Sequence, residues 1–190
     1  MKFKKRHVPF FLALVFVSAC LAPQRVSVVE GGSYDSAKDQ TSYFVTPYGS
    51  VNIPGKWTKT HRNNTSFQQF FVNSDTVEIS VAFGATNQFP FNRNGALTGH
   101  RFVKAYYEWD SQYMVKAYGL NRQIVEEDST NHFLIHRIYG KVNGAAIDTY
   151  YLTGEKNRNV SMFTVSVTDK WTTQRKVDFL RGLFLDKAPE

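Results

Sequence analysis

The chain has 190 residues, of which 42% are apolar, 21% charged and 15% aromatic, ordinary values for a folded domain apart from the high aromatic share. The formal net charge is +7, yet four of the 23 Lys and Arg residues fall in the first 19 positions, which hold no Asp or Glu, so the remainder carries 19 cations against 16 anions. That scattered balance lacks the basic stripe of a nucleic-acid-binding domain, and the single cysteine excludes both a disulfide framework and a thiolate metal site.

Lys2, Lys4, Lys5 and Arg6 form a positive head, residues 8–17 an apolar run, and Ser18-Ala19 a small pair ahead of Cys20. Ten residues rise about 15 Å as a helix, roughly half a bilayer core, which suits an export signal and not a span. The run Val17-Ser18-Ala19-Cys20 resembles the lipobox of bacterial lipoproteins. The resemblance implies cleavage between Ala19 and Cys20 and acylation of Cys20 by palmitate-type chains, with membrane attachment through them. Two acyl chains already hold a protein stably on a bilayer. Leu21 stands where an aspartate signals inner-membrane retention in Gram-negative lipoproteins, so the expected destination is the outer membrane if the source is Gram-negative. Residues 1–19 are expected to be signal peptide. Residues 20–41, rich in Ser, Gly, Gln, Asp and Lys, are expected to be a flexible tether.

From residue 42 the chain alternates in the strand period. Residues 43–47 and 50–53 flank a Tyr48-Gly49 turn, and residues 67–72 and 76–83 flank Asn73-Ser74-Asp75. In the latter strand Val77, Ile79, Val81 and Phe83 share one face, while Glu78 and Ser80 share a face expected to be wet or only partly covered. Residues 122–127, 132–139, 145–153 and 160–167 continue the strands, with a type I′ signal at Asn143-Gly144, and Phe163, Val165 and Val167 are expected to meet Val77, Ile79 and Val81 in one core. Between the two strand groups, residues 99–118 read as a helix ended by Gly119. Its stripe of Phe102, Tyr106, Trp109, Tyr113 and Ala117 is expected to face the sheet and bury Trp109. A final helix begins near Asp169, capped by Thr168 or Asp169, and turns Val177, Leu180, Leu183 and Phe184 inward before Ala188-Pro189.

The predicted architecture is one globular α+β domain over residues 42–187, with a single antiparallel sheet of about seven or eight strands, a long central helix and a C-terminal helix packed on it. This order, with Ile53-Pro54-Gly55-Lys56-Trp57 after the first hairpin, resembles the Mog1/PsbP-like fold over about residues 42 to 187. The resemblance implies a partner-binding or assembly role without catalysis, but fold alone does not carry function.

Catalytic patterns are absent from the sequence: there is no Gly-x-Ser-x-Gly, phosphate-binding Gly-rich loop or His-Glu-x-x-His. His132 and His136 would share a strand face about 13 Å apart, too far to hold one metal together. Glu126-Glu127-Asp128 fits a solvated turn better than a calcium site. Convergence of His61, His100, His132, His136, Glu126 and Asp128 in one cleft would argue for an enzyme. Residues 86–97, long and without periodicity, form the candidate contact loop, with Phe89, Phe91 and Arg93 as its contact residues; the alternative is that its phenylalanines tuck under the helix. The expectation is therefore a non-enzymatic, lipid-anchored cell-envelope protein that binds another envelope protein, without cofactor, metal or nucleic acid. A carrier for a small apolar ligand or glycan is the alternative, and clustering of Trp57, Trp109, Trp171 and the Phe89/Phe91 loop around a cavity would favour it.

Overall fold

The computed structural model describes residues 27–187. The signal peptide, the Ala19/Cys20 junction, and Ala188-Pro189 lie outside them.

The strands form two sheets, not the single one expected. In the smaller, β3 (Gln40–Thr46) lies between β1 (Val29–Gly31) and β2 (Tyr34–Asp35) on one side and β4 (Gly49–Pro54) on the other. The larger holds β5 (Thr58–Asn63), β6 (Gln68–Val72), β7 (Glu78–Ala85), β8 (Asn121–Asp128), β9 (Phe133–Val142), β10 (Ala145–Lys156) and β11 (Asn159–Val165) in the order β5-β6-β7-β11-β10-β9-β8, all antiparallel. The break falls at Pro54-Gly55. Proline has no N–H for a ladder, and Gly55 has φ +85°. Thr41 then ties the turn down, donating its hydroxyl to the Gly55 carbonyl (2.8 Å) and accepting from the Trp57 N–H (2.9 Å). The chain after Trp57 therefore starts a new sheet instead of extending the first.

Both expected hairpins form, as β3–β4 and β6–β7. Asn73 Oδ1 closes the second by accepting from the amides of Asp75 and Val77. Asn143 and Gly144 have φ +51° and +83°, and Val142 pairs directly with Ala145, as a two-residue type I′ turn requires. One expectation fails here, and one strand has no counterpart among those expected. The tether does not extend through residue 41, because β1 and β2 pair with β3 and begin the fold at Val29. β5, whose polar sequence Thr-Lys-Thr-His-Arg-Asn alternates nothing apolar, sits at a sheet edge where no burial is needed. The Glu78/Ser80 face of β7 is partly covered, as expected: Glu78 is half-buried, while Ser80 is buried and accepts from Gln68 Nε2 (3.1 Å).

One face of the large sheet carries the main core. Val77, Ile79, Val81, Phe163 and Val165 meet there as expected, together with the small sheet and α2 (Thr173–Leu185), which contributes Val177, Leu180, Leu183 and Phe184. Val167 is excluded, being past the end of β11 and 49% exposed. Thr172, not Thr168 or Asp169, caps α2 by accepting from the Arg175 N–H, since residues 168–170 are taken up by a turn closed on the Thr168 hydroxyl.

The opposite face carries α1 (Gly99–Tyr118), ended by Gly119 at φ +65°. Its span matches the sequence, but its rotation does not. The buried residues are Phe102, Val103, Tyr107 and Ser111, whereas Trp109 is 44% and Tyr113 62% exposed. Tyr107 packs edge-on against His136 (5.0 Å between ring centres), and Arg122 donates to the Ser111 hydroxyl (2.7 Å). Those contacts turn the 103-107-111 row inward, so that of the aromatic stripe Phe102 is buried and Tyr106 half-buried while Trp109 and Tyr113 stand on the rim. At its other end α1 starts without a side-chain bond from Thr98. Instead the buried Glu155 on β10 accepts from the Gly99 N–H (2.5 Å), placing a carboxylate at the positive end of the helix.

Candidate functional site

Because α1 lies over β8, β9 and β10, a groove remains between it and the face of β6, β7 and β11. It comprises two adjoining cavities, of about 310 Å³ and 610 Å³, which share Ser66, Tyr106, Asp110 and Met162. The smaller has a polar floor of Ser80, His136, Tyr151 and Thr164, with Met114 beside it. The larger is walled by Phe67, Phe89, Trp109 and Tyr113. Volumes of this size, apolar walls and a few converging polar groups are the usual features of small-molecule sites.

Three groups lining the groove are electrically unusual. His136 is fully buried, both ring nitrogens lack a hydrogen-bond partner, and its ring lies stacked on Tyr151 (5.1 Å, 11°). Burial, then the charge of Arg122, pushes its pKa down to about 3, so it is neutral. Asp110 sits in the wall of both cavities, and burial raises its pKa to about 6. Tyr151 is pushed up to about 12 by burial and then by the Asp110 charge.

The contact loop is folded down beside this groove. After two short 3-10 turns (Thr86–Gln88 and Pro90–Asn92), the buried Asn92 donates its amide to the Thr86 and Leu97 carbonyls and accepts from the Leu97 N–H. Phe89 and Phe91 are half-buried against α1: Phe89 meets Tyr106 edge-on at 5.1 Å, and Phe91 lies 5.6 Å from Trp109. Arg93 is exposed at the end of the second turn. The open aromatic on the facing side is Phe67, 59% exposed with φ +57°, a residue that the sequence pattern assigns to the start of a hairpin strand.

The other candidates disperse. His61 stacks on Phe70 (4.1 Å), His100 pairs with Glu127 (2.7 Å), Glu126 is held by Arg181 (2.8 Å), and Asp128 caps its own turn at Thr130 and Asn131. His132 has φ +57° before β9 begins, which breaks the strand spacing that related it to His136. Trp57 and Trp171 are buried together against Phe179, in the α2 layer away from Trp109. The three tryptophans therefore do not surround one cavity. Nothing in the sequence relates Asp110 to His136, because only the docking of α1 on β9 and β10 unites them.

No family model matches the chain, and no curated protein is similar to it in sequence. Among solved structures it is similar to the solution structure of cyanobacterial PsbP (CyanoP) from Synechocystis sp. PCC 6803, at 10% identity over 88% of this chain and 95% of that one, with a TM-score of 0.43. A likeness at that level transfers neither a ligand nor a residue role.

Proposed function

We infer that this is a non-catalytic binding protein of the bacterial cell envelope, anchored by lipid on Cys20 and acting through the groove between α1 and the large sheet. The observation that carries the binding role is the half-open sheet face: a folded domain has reason to close such a face, yet here Phe67, Trp109 and Tyr113 stand exposed around it. Dispersal of His61, His100, His132, Glu126 and Asp128 away from the groove supports binding over catalysis. The lipid anchor rests on Val17-Ser18-Ala19-Cys20 and the basic, apolar head before it. Of the two binding roles open to such a protein, capture of a ligand fits the groove better than assembly with a protein, because the groove is concave and has a polar floor.

Two experiments test the two halves. Metabolic labelling with an alkyne palmitate, followed by membrane fractionation, should mark wild-type protein and leave Cys20→Ala unlabelled; absence of label with a mature N-terminus elsewhere than Cys20 would refute the anchor. A photo-crosslinking residue at Tyr113 should capture an envelope component in cells that the same residue at Gln174, exposed on α2, does not. Equal capture at both positions would refute the groove.

A further inference from the structure

We propose that the groove binds a small organic ammonium cation, with Asp110 as counter-ion and the aromatic rim as the wall for its apolar part. This rests on the groove being the binding surface and names the chemistry of its ligand.

Asp110 is the only charged side chain among the described residues lining the two cavities, and no Lys or Arg lines either of them. Neighbouring acids find partners: Glu108 pairs with Arg122 at 2.8 Å, Glu127 with Lys104 at 3.2 Å, and Asp148 with Arg137 at 2.6 Å. Asp110 has no such partner among the described residues, and desolvation alone moves its titration. A desolvated carboxylate without a cation is costly, and the cost is recovered when a ligand brings the cation. His136 cannot supply it, because burial keeps the imidazole neutral. Arg122, on the far side of His136, is engaged with Glu108 and the Ser111 hydroxyl.

The walls suit the same ligand. Tyr106, Trp109 and Tyr113 stand on α1 around Asp110 at spacings of four, one and three, and Phe89 meets Tyr106 and Trp109 at 5.1 and 5.9 Å. Aromatic faces attract alkylammonium groups through the ring quadrupole, more strongly when water is displaced. An anionic ligand would face Asp110 with no compensating cation. The orphaned nitrogens of His136, fully buried at the floor, offer a neutral hydrogen-bonding partner for a polar group carried deeper than the ammonium.

The test is calorimetric titration of the detergent-solubilised full-length protein with benzyltrimethylammonium and phenethylammonium, and with choline against its neutral isostere 3,3-dimethylbutan-1-ol. Saturable binding of an aromatic ammonium, at least tenfold weaker in Asp110→Asn and severalfold weaker in Trp109→Ala, is expected. Choline should outbind its isostere at least tenfold. Melting temperatures of both variants, together with Asp110→Glu, which keeps the charge and should keep much of the affinity, separate lost recognition from lost folding. Equal affinity for choline and the alcohol, unchanged binding in Asp110→Asn, or no saturable binding of any ammonium probe would overturn the proposal. If crosslinking at Tyr113 still captures a component in that last case, the groove stands as a binding surface for a different ligand class.

Discussion

Replacing His136 with phenylalanine should make the protein more resistant to acid. The wild-type ring is fully buried, stacked on Tyr151 and edge-on to Tyr107, with neither nitrogen bonded. Phenylalanine has a similar shape and can keep both aromatic contacts. Because burial lowers the folded-state pKa from 6.5 to about 3, the unfolded chain takes up a proton at higher pH than the folded one. The neutral ring's contribution is therefore complete above pH 6.5 and is lost as pH falls. At 1.36 kcal/mol per unit, about 3 kcal/mol disappears between pH 7.5 and 4.5, and about 4 kcal/mol by pH 3. The substituted ring has no proton to gain, so the His136→Phe variant should pull ahead of wild type by about 3 kcal/mol on going from pH 7.5 to 4.5. Guanidinium melts of both proteins at the two pH values measure this directly. Asp110 titrates in the same range with the opposite sign, but it is present in both proteins and cancels in the difference. A wild-type-to-variant difference that changes by less than about 0.5 kcal/mol between those pH values would refute the account of His136 as a neutral, unpartnered core group.

Asp110→Asn should stabilise the free protein: its folded-state pKa is raised from 3.8 to about 6, so stability falls as pH rises through that window, and urea melts should show the variant gaining about 2 to 3 kcal/mol on wild type between pH 4 and 7.5. Glu155→Gln should lose about 1 to 3 kcal/mol, because the charged acceptor of the Gly99 and Arg158 amides becomes a neutral one at the head of α1; an unchanged melting curve would argue against that cap. Trp109→Ala should cost about 1 to 2 kcal/mol in denaturant melts, well under the 3 to 5 kcal/mol of a buried tryptophan, since the ring is 44% exposed.

Local patterns carried most of what could be read from the chain. The hairpin turns at Asn73 and Asn143-Gly144, the span of α1 with its Gly119 stop, and the inward face of α2 depend on neighbours within a few residues, and all appear in the structure. The rotation of α1 was not legible, because aromatic rings recur with helical spacing on its rim as they would on a buried face. The two-sheet division depends on whether the chain beyond Trp57 pairs with β4 or with β6, a choice made by distant partners. β5 carries no apolar signal at all. The groove escaped for a similar reason: Asp110 and His136 belong to a helix and a strand that become neighbours only after docking, and each alone looks like an ordinary surface acid and an ordinary core histidine.

The most direct test of the groove as the working surface uses its methionines. Of the three in the chain, Met1 lies outside the described residues, while Met114 and Met162 both line the smaller cavity. A ¹³C-methyl-methionine spectrum of the detergent-solubilised protein therefore reports the groove from two sides. On adding a detergent extract of the source envelope, both methyl signals should shift or broaden, and Trp109→Ala should weaken the response. Unmoved Met114 and Met162 signals, with the extract's component demonstrably held by the protein, would place binding elsewhere and contradict the account.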